Sequence, residues 1–197
     1  SIAVDSDGDF VISWSSYAQD GDRDGVFARR YSRNGQPKDV EFQVNTTWVN
    51  WQRMSDVAMD ANGNFIVVWA GDGQDGSSWG TYGQRYNAAG ARLGGEFRIN
   101  QHTNDKQLDP AVAMDGDGDF VVAWSSFLQD GSGYGIYARR YNPAGTAVSN
   151  EFRVNTHTQN WQQWPDVAMD PAGNFVVTWT SFAQDDNPEN TVVLRDN

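Results

Sequence analysis

The sequence predicts an all-β protein, a β-propeller of four-stranded blades, on three observations. The first is a repeat without insertions: Asp5, Asp60, Asp115 and Asp170 fall 55 residues apart, as do Trp14, Trp69, Trp124 and Trp179. A period of that size marks a stacked or radial array. The second is composition, because nine Trp, seven Tyr and ten Phe favour strands over helices. The third is the run Phe120-Val-Val-Ala-Trp124, apolar at odd and even positions alike. A strand wet on one face would alternate, so both sheet faces must be covered. Small four-stranded sheets stacked around an axis meet that demand, with a β-sandwich or a β-solenoid array as the alternative.

Each copy reads as four strands in order. A short first strand, Val57-Ala-Met59, leads through the turn Asp60-Ala-Asn-Gly-Asn64 into a second, Phe65-Ile-Val-Val-Trp69. A longer loop, Gly71 to Gly80, precedes a third strand over 81–86, and a turn at Ala89-Gly90 returns the chain into a fourth over 96–100. Short Gly-bearing turns pair successive strands antiparallel. Phe97 and Ile99 alternate with Arg98 and Asn100, which suits an outer, partly wet strand. The chain is therefore one repeat domain with blades over 1–55, 56–110, 111–165 and, incomplete, 166–197. The four repeated Trp are expected to be buried between blades. The fourth copy runs through Thr191-Val-Val-Leu-Arg195 without its Glu-Phe-x-Val-Asn strand, so an open edge is expected, completed by further chain or by self-association with another subunit.

Charge narrows the partners. With 14 Lys and Arg against 26 Asp and Glu, the formal net charge is −12. Such a chain repels phosphate backbones and anionic headgroups, so nucleic acid is a poor partner. The apolar runs are too short to span a bilayer, so membrane insertion is not expected. No cysteine is available for disulfides or thiolate metal sites. Ser1 already lies inside a repeat, so the missing signal peptide says little.

The pattern Val-Ala-Met-Asp-x-x-Gly-Asn/Asp-Phe, then Trp, Gln-Asp-Gly, Arg-Arg-Tyr and Glu-Phe-x-Val-Asn-Thr, resembles the tandem repeats of large secreted bacterial surface proteins. Those proteins also carry haemolysin-type calcium-binding or cadherin-like modules. The resemblance covers the whole chain and implies a propeller-like fold and an extracellular, cell-surface setting, with no defined activity.

Two groups of residues are the site candidates. Asp5, Asp7 and Asp9, and likewise Asp115, Asp117 and Asp119, place three carboxylates within five residues, enough to suggest Ca²⁺ as a cofactor. The EF-hand order fails, however, and the same residues read more readily as hairpin turns with Gly8, Gly63, Gly118 and Gly173 at positive φ. In the fourth copy Ala172 replaces a ligand. The second group is the aromatics where copies differ: Trp48, Trp51, Trp79, Tyr134, Trp161 and Trp164, whose rings can stack on sugars. Beside them Asn50, Gln52, Asn160, Gln162 and Gln163 could bond hydroxyls, while Trp51 and Trp161, at one repeat position, also read as packing. The recurring Gln19-Asp20, Gln74-Asp75, Gln129-Asp130 and Gln184-Asp185 read as loop bracing. The recurring Arg30, Arg85, Arg140 and Arg195 are expected to pair with Asp or with Glu41, Glu96 and Glu151. His102 and His157 share a repeat position and lack a nucleophile partner. The reading is therefore a non-catalytic extracellular adhesive module that binds a glycan or another cell-surface ligand through loop aromatics. A calcium-stiffened structural spacer and an acid-pair glycosidase are the alternatives.

Overall fold

The computed structural model describes residues 1–184 and, as backbone, residues 191–196. Asp185, the loop tip Asn187-Pro-Glu189 and the Arg195 side chain lie outside the described residues.

Among the described residues fifteen strands form four antiparallel meanders. The first blade holds β1 (Ile2–Val4), β2 (Phe10–Tyr17), β3 (Asp24–Tyr31) and β4 (Phe42–Gln43). The second holds β5 (Gln52–Met59), β6 (Phe65–Asp72), β7 (Trp79–Tyr86) and β8 (Phe97–Arg98). The third holds β9 (Gln107–Met114), β10 (Phe120–Phe127), β11 (Tyr134–Tyr141) and β12 (Phe152–Arg153). The fourth holds β13 (Gln162–Met169), β14 (Phe175–Ser181) and β15 (Thr191–Asp196), in that order across the sheet. Strand four is shorter than the sequence suggests and strand one is longer, beginning at Gln52, Gln107 and Gln162. The first strands lie side by side along the axis. Their Asp-turn ends meet around a cavity of about 280 Å³ that touches Val4, Met59, Met114 and Met169.

Alternation along the second strand explains the stacking. Phe65, Val67 and Trp69 pack back onto Val11, Val26, Ala28 and Val44 of the preceding blade. Ile66 and Val68 pack forward onto Val122 and Trp124. Val121 and Ala123 in turn meet Val177 and Trp179. Trp69, Trp124 and Trp179 are buried, as expected. Trp14 corrects that expectation: it is only half-buried, because its face of the first blade is covered by no blade among the described residues.

Polar side chains lock each blade to the next. Asn100 accepts the Thr81 N–H at 2.8 Å and donates to Gln107 Oε1 at 3.2 Å, while Gln107 Nε2 donates to the Asn104 carbonyl at 2.8 Å. Asn45 with Gln52 and Asn155 with Gln162 repeat this clamp. Gln52 and Gln162, read from the sequence as sugar contacts, are thus fully buried in the clamp. The glutamates also differ from expectation. Glu96 takes the N–H groups of Thr46 and Thr47 and the amide of Gln74, not an arginine. Arg30 pairs with Asp39 at 2.6 Å, and Arg85 Nη2 donates to the Pro143 carbonyl at 2.6 Å across the blade boundary.

Candidate active site

Each long first strand is interrupted near its N-terminal end by a bulge against the second strand. The residues at these breaks, Met54, Asp109 and Trp164, all adopt left-handed φ, +56°, +54° and +54°. Bulges re-aim side chains, and this one presents a different residue in each copy at the same end of the axis. Strain of this kind costs about 1–3 kcal/mol per residue. Because it recurs in three blades, the strain belongs to the architecture and the choice of side chain to the site.

Asp109 is the acid among the three. It is half-buried, and its surroundings raise its pKa above the ordinary carboxyl value: desolvation is the main cause, opposed by a hydrogen bond from the Ser125 hydroxyl. The same Ser125 oxygen accepts the Trp164 N–H at 3.2 Å, which couples the acid to the next blade. Burial first, and the Asp109 charge second, push the Tyr134 phenol upward. Tyr134 meets Trp161 edge to face at 6.0 Å. A cleft of about 370 Å³ opens beside these groups, lined by Asn160, Trp161, Gln163, Trp164, Thr180 and Phe182. Two inner-strand carboxylates share one repeat position. Asp56 accepts the Val112 N–H at 2.8 Å, whereas Asp166 is exposed and accepts the N–H of Val167 at 2.9 Å.

The structure thus gathers Tyr134, Trp161 and Trp164 and leaves the other aromatics apart. Trp51 is a packing residue, stacked on Trp79 at 6.4 Å with the Arg23 guanidinium 4.2 Å from its ring centre. Trp48 is exposed away from the cleft. Asp109 and Phe182 were not singled out in the sequence, although Met54, Asp109 and Trp164 disagree at one repeat position.

The Asp-rich turns are four copies of one geometry. Asp5 Oδ1 accepts the N–H groups of Asp7 and Asp9, both at 2.9 Å. Asp115 does the same for Asp117 and Asp119, at 3.0 and 2.9 Å. Asp170 caps Ala172 and Asn174 likewise, so the missing ligand does not alter the turn. Asp9 faces Lys38 and accepts the Arg33 N–H; the Lys38 bond is the main reason its pKa is lowered. Among the described residues no three His, Asp or Glu side chains are arranged to hold a metal.

No family model and no curated protein matches the chain. Solved structures do. An endo-arabinase from Bacteroides thetaiotaomicron superposes with a TM-score of 0.56 at 16% identity, covering 96% of this chain and 71% of that one. A thermostable family-43 glycoside hydrolase gives 0.58 at 14% identity, covering 96% and 68%. An α-L-arabinofuranosidase from Fusarium graminearum, in complex with an iminosugar inhibitor, gives 0.58 at 13%, covering 95% and 54%. The fold is a β-propeller of four-stranded blades. The expectation of a non-catalytic module is corrected here, since these structures of similar fold are glycoside hydrolases, and the acid-pair alternative fits them better.

Proposed function

We propose that this propeller is a glycoside hydrolase in which Asp109 is the proton donor. The observation that supports the reading is a carboxyl group with a raised pKa, held by a strained bulge beside an aromatic cleft. Glycosidases need one carboxyl kept protonated and one ionised, separated by their environments. Asp109 supplies the proton to the glycosidic oxygen as the bond to the anomeric carbon breaks. Exposed Asp166, two residues beyond Trp164 on the adjacent inner strand, is assigned as the second acid of the pair, placed to stabilise the positive charge developing on the sugar. The proton returns to Asp109 with the incoming water.

Solved structures of similar fold are described as an endo-arabinase and an endo-1,4-β-xylanase, so arabinan and xylan are the polymers to assay. Release of reducing ends by the intact chain is expected, with Asp109→Asn lowering the rate by roughly 10²–10⁴-fold, the usual worth of a general acid. Failure to cleave either polymer, or an Asp109→Asn variant at full rate, overturns the reading. Calcium at the Asp-rich turns, an extracellular setting and self-association through an open sheet edge remain proposals from the sequence. Melting in excess calcium against chelator, secretion of the protein by its host and light scattering test them in turn.

A further inference from the structure

We infer that the cleft beside Asp109 is a subsite for one neutral sugar residue, stacked on Trp164; this rests on the glycosidase reading and names the substrate class it takes. Trp161, Trp164 and Phe182 are 55%, 61% and 53% exposed and converge on one opening. Single exposed aromatics are ordinary, but three converging on one cavity mark a binding site. At about 370 Å³, the cleft falls within the roughly 300–1,000 Å³ of small-ligand pockets.

The rings are held in place before any ligand arrives. Trp164 is fixed by its left-handed backbone and by its N–H bond to Ser125. The Phe182 N–H donates to the Trp161 carbonyl at 2.8 Å, tying two walls together. Gly133, at φ +43°, lies so close to Asn160 and Trp161 that a Cβ there would collide with both. The equivalent place near the second blade shows what a purely structural version looks like. There Trp51 is closed over by Trp79, Arg23 and Arg53. Near the fourth blade, Gln163 replaces Arg53 and Trp164 replaces Met54, so a cation and a thioether are exchanged for an amide and a flat apolar face.

Those exchanges define the ligand. Sugar rings offer C–H faces to aromatics and hydroxyl edges to amides, and Asn160, Gln163 and Thr180 provide such polar edges. Among the described residues no Lys or Arg lines the cleft, Asp109 is linked through the Ser125 hydroxyl to the Trp164 backbone, and the chain carries a net charge of −12. Uronates and sulfated sugars would enter uncompensated, so the residue bound is uncharged.

Calorimetric titration of the Asp109→Asn chain, in which substrate persists, tests this with arabino- and xylo-oligosaccharides against oligogalacturonate. Binding of a neutral oligosaccharide, at least tenfold weakened by Trp164→Ala and absent for oligogalacturonate, is expected. Trp164 is exposed, and an unchanged melting temperature of its variant shows that the loss is local. An unaltered Kd in the Trp164→Ala variant, or no neutral binding at all, overturns the subsite. Binding without turnover by the unaltered chain leaves the subsite standing and removes the hydrolase reading. Turnover with a KM indifferent to Trp164→Ala does the reverse.

Discussion

Asp109 carries two opposed demands, and their conflict makes a test at the scale of one residue. Its raised pKa means that the native chain holds the proton to higher pH than the unfolded chain does. Its contribution to stability is therefore complete below the ordinary carboxyl pKa and is lost as pH rises through the native value. Above the native pKa the ionised group is a cost, which an amide of the same shape avoids. Asp109→Asn is expected to raise the melting temperature at pH 7 while slowing hydrolysis by the factor given above, the usual trade at a catalytic position. A melting temperature that falls at pH 7 would show Asp109 to be a structural acid. Glu96 has the opposite sign. Burial alone would raise its pKa, yet the hydrogen bonds from Thr46 and Thr47 outweigh burial and hold it below the ordinary value. Its stabilisation is present above the unfolded pKa and fades as pH falls through the lower native one. Glu96→Gln should therefore cost about 1–3 kcal/mol at neutral pH in urea denaturation, with the difference from the unaltered chain shrinking in acid.

At the scale of the element, the first strand is where reading the sequence succeeds and where it stops. The second and third strands are legible because hydrophobic residues recur at fixed spacing and Gly punctuates their turns. The Asp turns are legible as turns, since Gly63 at φ +85° and Asp60 Oδ1, which accepts two N–H groups, produce the tight return. The upstream half of the first strand is hidden because its bulge breaks the alternation that identifies strands. The same bulge conceals the site, since Met54, Asp109 and Trp164 share a backbone and no chemistry. The Asn–Gln clamp is hidden for another reason. Amides suggest surface, and only the fold reveals that Asn45, Asn100 and Asn155 are buried and fully engaged. Their period of 55 was visible, but period alone does not separate a buried network from an exposed one. Removing a clamp residue strands several buried groups at about 1–3 kcal/mol each. Asn100→Ala should cost at least about 2 kcal/mol by chemical denaturation, and a cost near zero would mean that the clamp is decoration.

The whole molecule is a row of blades in which each core is shared between neighbours. Val67 and Trp69 belong to one core, and Ile66 and Val68 on the same strand belong to the next. Stability in such arrays is a sum over units and their interfaces, so one substitution weakens one junction first. The repeated tryptophans report this arrangement, since four equivalent residues sit in unequal surroundings. Trp124 is wholly buried between the second and third blades, and truncating it leaves a cavity that backbone on both sides resists filling. Trp124→Ala should cost about 3–5 kcal/mol, and Trp69→Ala a similar amount. Trp14 stands at the same repeat position but is only partly buried, so less apolar area is recovered from solvent when it folds. Trp14→Ala should cost only about 1 kcal/mol on the usual scale for buried apolar area. The two positions share strand register, and their strands, Phe10–Tyr17 and Phe120–Phe127, differ at only three of eight residues, so the neighbouring blade is the main difference. Equal losses at Trp14 and Trp124 in guanidinium unfolding would show that the indole works within its own sheet. A threefold or larger difference assigns most of its worth to the junction between blades.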